Sequence, residues 1–198
     1  MKDLFSLQGK IALVSGGSSG IGAMIAEGLV HYGAKVYLAA RREEVLKAKQ
    51  RELAKIGLCE YITADIGTVT GIRQLARAYA ERERSLDILV NNAGISDGGR
   101  EIEDVTEKTW DSVIDLNLKS VFFMIQAFLP YLRVGASPES PRNVINITSI
   151  DGCGKLNASR AGSLNLGSNI VVDGGESVRG IQRAFYARIW PDLVHLDR

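Results

Sequence analysis

The feature that most constrains the fold is a glycine-rich loop directly after a short apolar run. The run is Ile11-Ala12-Leu13-Val14, and the loop reads Ser15-Gly16-Gly17-Ser18-Ser19-Gly20-Ile21-Gly22. A short apolar run of this kind is typical of a strand covered on both faces. Behind the loop, apolar residues recur at helical spacing: Ile21, Met24, Ile25, Leu29 and Val30. Gly33 is expected to terminate this helix. The chain therefore begins with a strand–loop–helix unit.

The rest of the chain alternates between the two patterns. Further strands are predicted at 36–40, 61–64, 86–90 and 143–148, and helices at 42–55, 71–84 and 107–133. In the second helix, Val45, Leu46 and Leu53 form the expected buried stripe. Strands separated by helices indicate βαβ units with right-handed crossovers. We therefore predict an α/β fold, a Rossmann-type doubly wound parallel sheet, in a single domain over residues 1–175.

Composition excludes several classes of function. The 24 basic and 23 acidic residues leave a net charge of +1, which gives no nucleic-acid signature. Cys59 and Cys153 are too few for a disulfide framework, and neither has metal-ligand spacing, so we expect reduced thiols and no metal. The N-terminus has no apolar signal region, and the apolar stretch 121–132 is shorter than the about 18 residues of a membrane span. A cytoplasmic location is expected.

The position of the glycine loop gives it a chemical meaning. At the start of a helix, free N–H groups and the positive end of the helix dipole attract a phosphate. Glycines allow the tight turn and let the backbone approach a pyrophosphate, here with the spacing Gly-x-x-x-Gly-x-Gly. The loop therefore predicts a dinucleotide site. The residues expected to contact the cofactor are Gly16, Ser18, Ser19, Gly20, Ile21 and Gly22.

The end of the second predicted strand, Ala40-Arg41-Arg42, indicates which dinucleotide binds. An NAD site places an acidic side chain here to accept hydrogen bonds from the ribose 2′-OH. This chain instead has two guanidinium groups, which can pair with a phosphate, and no carboxylate to repel one. The sequence favours NADP(H), with Arg41 and Arg42 at the 2′-phosphate. The alternative is an exposed arginine pair that only opens a helix.

Three later strand ends carry polar groups that a cofactor could meet. Asp65-Ile66 could cradle an adenine, Asn91-Asn92-Ala93-Gly94 follows the fourth strand, and Asn146-Ile147-Thr148-Ser149 follows the fifth. Each alone is a routine transition from strand to loop. Because the carboxyl ends of parallel strands share one sheet edge, where ligands bind, we place all three at the cofactor. The expected contacts are Asp65, Ile66, Asn92, Ala93 and Gly94.

These residues resemble the short-chain dehydrogenase/reductase family, whose pattern is Thr-Gly-x-x-x-Gly-x-Gly, Asn-Asn-Ala-Gly, a mid-helix Asn, a Ser and Tyr-x-x-x-Lys. The resemblance covers about 4–152 and resumes over 161–175, with Ser15 in place of the usual Thr. Within the family, 5–7, 144–147 and the arginine pair resemble the NADPH-dependent β-ketoacyl reductase type of rhamnolipid synthesis and its fungal relatives. The resemblance implies an NADP(H)-dependent oxidoreductase acting on a small-molecule carbonyl substrate.

The resemblance also implies two catalytic residues. Asn117 matches the helix asparagine that holds a proton-relay water, and Ser149 matches the serine that hydrogen-bonds the substrate carbonyl. The alternatives are an asparagine satisfied within its own helix and an ordinary loop hydroxyl. A homo-oligomer, or association with full-length subunits, is a further expectation.

The family's Tyr-x-x-x-Lys motif has no counterpart here. None of the six tyrosines has a lysine four residues later, and the only near match, Tyr37 before Arg41, lies in a predicted strand. We place an internal deletion near 154–161, before a strand-like segment at 169–175 and an unassigned tail at 176–198. The sequence predicts an NADP(H)-binding oxidoreductase with impaired catalysis. The alternative is a non-catalytic splice or truncated product that binds cofactor or full-length subunits.

Overall fold

A computed structural model describes residues 5–96 and 102–148 of the chain. The strands are β1 (Ile11–Ser15), β2 (Lys35–Ala40), β3 (Cys59–Thr63), β4 (Ile88–Asn91) and β5 (Asn143–Asn146). The helices are α1 (Gly20–His31), α2 (Glu43–Leu53), α3 (Val69–Ala80), α4 (Glu107–Ile114) and α5 (Ser120–Leu132), with a 3-10 helix at Ile102–Asp104. A π-helical turn, Asp115–Lys119, joins α4 to α5 without a break.

The five strands form one parallel sheet in the order β3-β2-β1-β4-β5. In the central register, Leu13 lies between Tyr37 of β2 and Leu89 of β4. The chain moves outward in one direction from β1 to β3 and in the other from β4 to β5. Ligands of such sheets bind where this direction reverses, outside the carboxyl ends of β1 and β4. The predicted Rossmann-type fold is therefore confirmed.

The sheet separates two apolar cores. Residues of β1 alternate between them: Leu13 packs with α3 and α5, while Ala12 and Val14 pack with α1 and α2. The first core contains Tyr37, Ile72, Leu75, Tyr79, Leu89, Met124, Phe128 and Leu132. The second contains Ala26, Val30, Val36, Leu38, Leu46, Leu53 and Val90. Cover on both faces explains the continuously apolar β1 run.

The first two helices bury different kinds of side chain. In α1, Ile21 and Met24 are exposed, whereas the buried residues are Gly22, Ala23, Ala26 and Val30. Small residues on this face let the start of the helix approach the sheet closely, and the helix that the apolar spacing predicted is present. In α2, Leu46 and Leu53 are buried as predicted, and Val45 is half-buried.

The region from Glu107 to Leu132 forms one uninterrupted helical stretch. Among the described residues it is long and apolar enough to cross a membrane, judged by length and composition alone. The sequence predicted this helix at 107–133 but judged its apolar part, 121–132, too short for a membrane span; by length and composition the observed helix is long enough. Met124, Phe128 and Leu132 of this stretch are buried in the core under the sheet.

A buried ion cluster ties the amino edge of the sheet together. Asp87, just before β4, accepts hydrogen bonds through Oδ2 from the Ile11 backbone N–H at 2.9 Å and through Oδ1 from Lys10 Nζ at 3.2 Å. Its Oδ1 also lies 3.0 Å from Nη1 of Arg142, whose side chain is 10% exposed. Arg142 Nη2 donates to the Val134 carbonyl at 2.9 Å. One carboxylate thus connects β1, β4 and the residue before β5.

Three predicted features lie outside the described residues. They are Ser149, the strand-like segment at 169–175 with the proposed deletion before it, and the tail at 176–198. Their assignments remain predictions.

Candidate cofactor site

The glycine loop adopts the conformation that its sequence indicates. Gly16 and Gly20 have φ values of +68° and +55°, in the left-handed region that favours glycine. The backbone N–H of Gly16 donates to the Ala39 carbonyl of β2 at 2.8 Å, which fixes the start of the loop. The loop then turns sharply into α1.

Gly22 has no room for a side chain. A Cβ there would lie 2.4 Å from both the Gly16 carbonyl oxygen and Asn92 Nδ2. Asn92 Nδ2 in turn donates to the Ser15 carbonyl at 3.0 Å. The first turn of α1, the glycine loop and the loop after β4 therefore meet in direct contact.

The Ser15 side chain also connects the glycine loop to the loop after β4. Its Oγ accepts hydrogen bonds from the backbone N–H groups of Asn92 at 2.9 Å and Ala93 at 3.1 Å. Ser15 is buried, so these donors would lose their partner without the hydroxyl. The Ser that replaces the family's usual Thr keeps the oxygen that this contact needs.

The N-terminus of α1 opens onto free space. Ser19 is the N-cap residue, with extended backbone, but its side chain makes no capping hydrogen bond. A Cβ on Gly20 would meet nothing within 4 Å, and the first turn contains no acidic residue. Ser19, Gly20 and Ile21 are exposed, whereas Ser18 is buried. This arrangement offers N–H groups and a positive dipole end to an anion such as a pyrophosphate.

Arg41 and Arg42 are exposed and directly follow β2, the strand that pairs with β1. Arg42 is the N-cap residue of α2. The acidic residues that follow, Glu43 and Glu44, pair instead with Lys47 at 3.1 and 3.0 Å. Within the described residues no carboxylate pairs with either arginine. Both guanidinium groups are therefore available to a phosphate.

The Asp65-Ile66 pair after β3 is divided between surface and core. Asp65 is exposed, and its Oδ1 accepts a hydrogen bond from the Gly67 N–H at 3.1 Å. Ile66 is only 3% exposed and packs into the core beneath α3. An adenine at this position would meet the Asp65 side chain and the Ile66 backbone, not the Ile66 side chain.

Asn117 is held against the loop after β4. Its Oδ1 accepts from the Ile95 N–H at 2.9 Å, and its Nδ2 donates to the Ile95 carbonyl at 2.7 Å. Asn117 lies in the π turn, and such turns are frequent at functional sites. The polar atoms of Asn117 thus serve the loop at Gly94 and Ile95, unlike those of an asparagine satisfied only within its own helix.

A buried asparagine pair that was not predicted from the sequence lies at the same edge. Asn91 Nδ2, at the end of β4, donates to Asn146 Oδ1, at the end of β5, at 2.9 Å. The pair fixes the β5 end three residues before Ser149. Two asparagines that each end a strand were the available signal, but only the sheet order shows that they are neighbours.

Tyr37 is not a substitute for the absent tyrosine motif. It is completely buried, and its hydroxyl donates to Glu83 Oε1 at 2.8 Å. Burial raises the pKa of Tyr37 to about 12, the opposite of what a proton-donating tyrosine near neutral pH needs. The spacing between Tyr37 and Arg41 is coincidental.

The sequence that carries these strand ends matches the sequence profile of a known family. The sequence profile described as short chain dehydrogenase matches residues 10–161, which include every described site residue. The chain belongs to the short-chain dehydrogenase family. The chain also spans about three fifths of the length of its first curated relatives.

Two curated relatives show how far the similarity extends. The rhamnolipids biosynthesis 3-oxoacyl-[acyl-carrier-protein] reductase of Pseudomonas aeruginosa is 48% identical over 152 residues, covering 77% of this chain and 59% of that protein. Gluconate 5-dehydrogenase of Gluconobacter oxydans is 32% identical over 197 residues, covering 93% of this chain and 74% of that protein. The second match therefore extends well beyond the described residues.

A solved structure shows the same fold. The Pseudomonas aeruginosa RhlG/NADP active-site complex superimposes with a TM-score of 0.74 at 40% identity, covering 93% of this chain and 69% of that one. A member of this family that is similar to the present chain has thus been seen with NADP.

Proposed function

We propose that this chain binds NADP(H) across the carboxyl ends of β1, β2 and β4. The observation that carries the proposal is the closed packing around Gly22 beside the open space at Gly20. Gly22 leaves no room for a side chain, whereas the space at Gly20 is open at the helix N-terminus, where folds of this kind bind a pyrophosphate. The structure of a relative with NADP supports the same assignment.

Each part of the site has a proposed role. The N–H groups at the start of α1, with Ser18, Ser19 and Ile21 around them, hold the pyrophosphate, and Arg41 and Arg42 hold the 2′-phosphate. Asp65 borders the adenine. When bound, the nicotinamide supplies a hydride. The loop of Asn92, Ala93 and Gly94, kept in place by Ser15 and Asn117, positions the ring, and Ser149 would hydrogen-bond a carbonyl substrate.

NADPH is expected to bind more tightly than NADH. Two guanidinium groups without acidic partners favour the 2′-phosphate. Arg41→Asp should reverse the preference because a carboxylate repels that phosphate and accepts from a ribose hydroxyl. Calorimetric titration of both cofactors measures the effect. Arg51→Asp, the same charge change near the other end of α2, is the matched control and should leave the preference unchanged. Equal affinities in the parent chain would contradict the assignment.

We further propose that reduction of carbonyl or β-ketoacyl substrates by this chain lies at background. A positioned general acid contributes about 10²- to 10⁴-fold, and the sequence has no Tyr-x-x-x-Lys to provide one. NADPH oxidation with β-ketoacyl and simple diketone substrates tests this, with a motif-containing family member as the positive control. Clear turnover that disappears in Ser149→Ala would show that the chain is an active reductase.

A second candidate function is association with full-length subunits of this family, as a non-catalytic splice or truncated product in the cytoplasm. The observation that favours it is an apolar exposed side on the long helix, where Trp110, Leu118 and Phe122 are accessible and Phe122 is 62% exposed. Exposed apolar patches of this kind often mark interaction sites.

Self-association through this surface is the corresponding expected result. The parent chain should sediment as a dimer or larger species, and Phe122→Asp should shift it towards the monomer because a buried carboxylate is costly. Leu58→Asp, at an equally exposed apolar residue before β3, is the control. The parent chain could also sediment as a monomer, both alone and when mixed with a full-length subunit. That result would exclude the association function.

A further inference from the structure

The π turn at Asp115–Lys119 changes the hydrogen bonding of the residue that follows it. In an α-helix, each backbone N–H donates to the carbonyl four residues before it. The Ser120 N–H instead donates to the carbonyl of Asp115, five residues before it. The carbonyl of Leu116, which an α-helix would pair with this N–H, therefore needs another donor.

The Ser120 side chain supplies that donor. Its hydroxyl donates to the Leu116 carbonyl. Ser120 is only 4% exposed, so water has little access to compete for this bond. Serine hydroxyls that bond the carbonyl four residues back disturb a regular helix. Here the hydroxyl replaces the backbone N–H that the π turn has used elsewhere, and the Leu116 carbonyl stays paired.

The geometry of the π turn determines which way Asn117 faces. One extra residue in a turn rotates the residues on one side of it by about 100° relative to a continuous α-helix. Asn117 lies in this turn and bonds both the N–H and the C=O of Ile95, at 2.9 and 2.7 Å. Gly94 is in the same place, because a Cβ there would lie 3.4 Å from Asn117 Oδ1. The register of the turn therefore decides whether Asn117 reaches the loop after β4.

An ion pair also spans the π turn, but it is a weaker support. Lys119 Nζ lies 2.9 Å from Asp115 Oδ1, and both side chains are exposed. Exposed pairs contribute little to stability, because solvent screens the charges and the long side chains lose entropy. The Ser120 hydroxyl, by contrast, is buried and bonds the backbone of the turn directly.

We propose that Ser120 is a positioning residue of the cofactor site. Its hydroxyl stabilises the π turn, the π turn directs Asn117 towards Ile95, and Asn117 holds the loop after β4 in place. Ser120 thus acts on the site indirectly, through Asn117. The consequence for cofactor binding rests on the proposed function, since that function places the nicotinamide beside this loop, whereas the effect of Ser120 on the loop does not depend on it.

Hydrogen exchange of the Ile95 N–H, followed by NMR without cofactor, tests the proposal. In Ser120→Ala the Leu116 carbonyl loses its donor, so the turn should relax towards an α-helix and Asn117 should release Ile95. We expect the Ile95 N–H to exchange at least about fivefold faster than in the parent chain, the effect of leaving a largely buried acceptor without its donor. The Leu89 N–H, in the centre of the sheet, should keep its exchange rate.

Two further variants separate the π turn from a general effect of losing a hydroxyl. Ser112→Ala is the matched control, because Ser112 Oγ donates to the Lys108 carbonyl, also four residues back, at 2.7 Å, but within the regular helix α4. It should leave the exchange of Ile95 unchanged. Ser120→Thr keeps a hydroxyl that can bond the carbonyl four residues back in a helix, so it should exchange like the parent chain.

Several results would overturn the proposal. They are an unchanged Ile95 rate in Ser120→Ala, an equal acceleration in Ser112→Ala, or Ser120→Thr that exchanges like Ser120→Ala. An equal loss of protection at Leu89 would also overturn it, because the hydroxyl would then support the whole fold.

Calorimetric titration of the same variants with NADPH tests the consequence separately. Ser120→Ala should bind NADPH more weakly than the parent chain, and Ser112→Ala should bind it equally well. Faster exchange at Ile95 with unchanged NADPH affinity would support the role of Ser120 in the loop and contradict the placement of the cofactor beside it. Unchanged exchange with tight NADPH binding would contradict the role of Ser120 and leave the proposed function standing.

Discussion

Gly22→Ala is expected to weaken NADPH binding at least tenfold. The added Cβ would lie 2.4 Å from the Gly16 carbonyl oxygen and from Asn92 Nδ2, and the Gly16 contact is with backbone. Overpacking of this kind costs about 1–3 kcal/mol. Only a movement of the glycine loop away from α1 would relieve the clash. Because every 1.4 kcal/mol is a tenfold change in affinity, displacing the cradle removes much of the pyrophosphate binding. Isothermal calorimetry with NADPH measures the change.

Gly28→Ala is the matched control in the same helix. A Cβ there meets nothing within 4 Å, and Ala in a helix interior is favoured over Gly by about 0.5–1 kcal/mol. This variant should bind NADPH like the parent and resist urea slightly better. If both variants bound NADPH equally well, the cofactor would not lie against Gly22 and the proposed site would be wrong.

Local patterns predicted the framework because they depend on neighbours in sequence. The apolar run before Ser15 is buried on both faces, and Gly33 ends α1 with a φ of +97°. The alternation of strands and helices was enough to predict a parallel sheet. A parallel sheet in turn places the carboxyl ends of β1 and β4 at the same edge. The family pattern also named Asn117, whose side chain hydrogen-bonds the Ile95 backbone, and its catalytic role stays a prediction.

The sequence did not reveal which side chains meet across the sheet. Ile66 follows β3 as predicted, but its side chain is buried in the core, whereas that of the neighbouring Asp65 is exposed. The Asn91–Asn146 bond joins residues 55 positions apart and requires the β4–β5 register. Helical spacing predicted α1, but it did not show that α1 packs through small residues and leaves Met24 exposed.

The contacts of Asp87 also join residues far apart in the sequence, so local patterns did not predict them. Substitution of Asp87 has the largest expected effect on stability. Its carboxylate is the acceptor for the Ile11 N–H and the counter-ion of Arg142, whose side chain is 10% exposed. Asp87→Ala leaves a buried guanidinium without an anion, which costs about 3–5 kcal/mol in comparable cases. A domain stable by about 5–15 kcal/mol loses a large share of that margin. Urea unfolding followed by circular dichroism measures the loss.

Two further variants separate the buried charge from the rest of the cluster. Asp87→Ala combined with Arg142→Met removes both charges, so it should be more stable than Asp87→Ala alone, although the Ile11 N–H stays without its acceptor. Lys10→Met should cost no more than about 1 kcal/mol because Lys10 is partly exposed and its ion pair is screened by solvent. If Asp87→Ala unfolded at the same urea concentration as Lys10→Met, the buried pair with Arg142 would contribute nothing to the joining of β1, β4 and β5. Since Asp87 lies at the amino edge, opposite the cofactor, the preference for NADPH over NADH should be the same in every variant that folds.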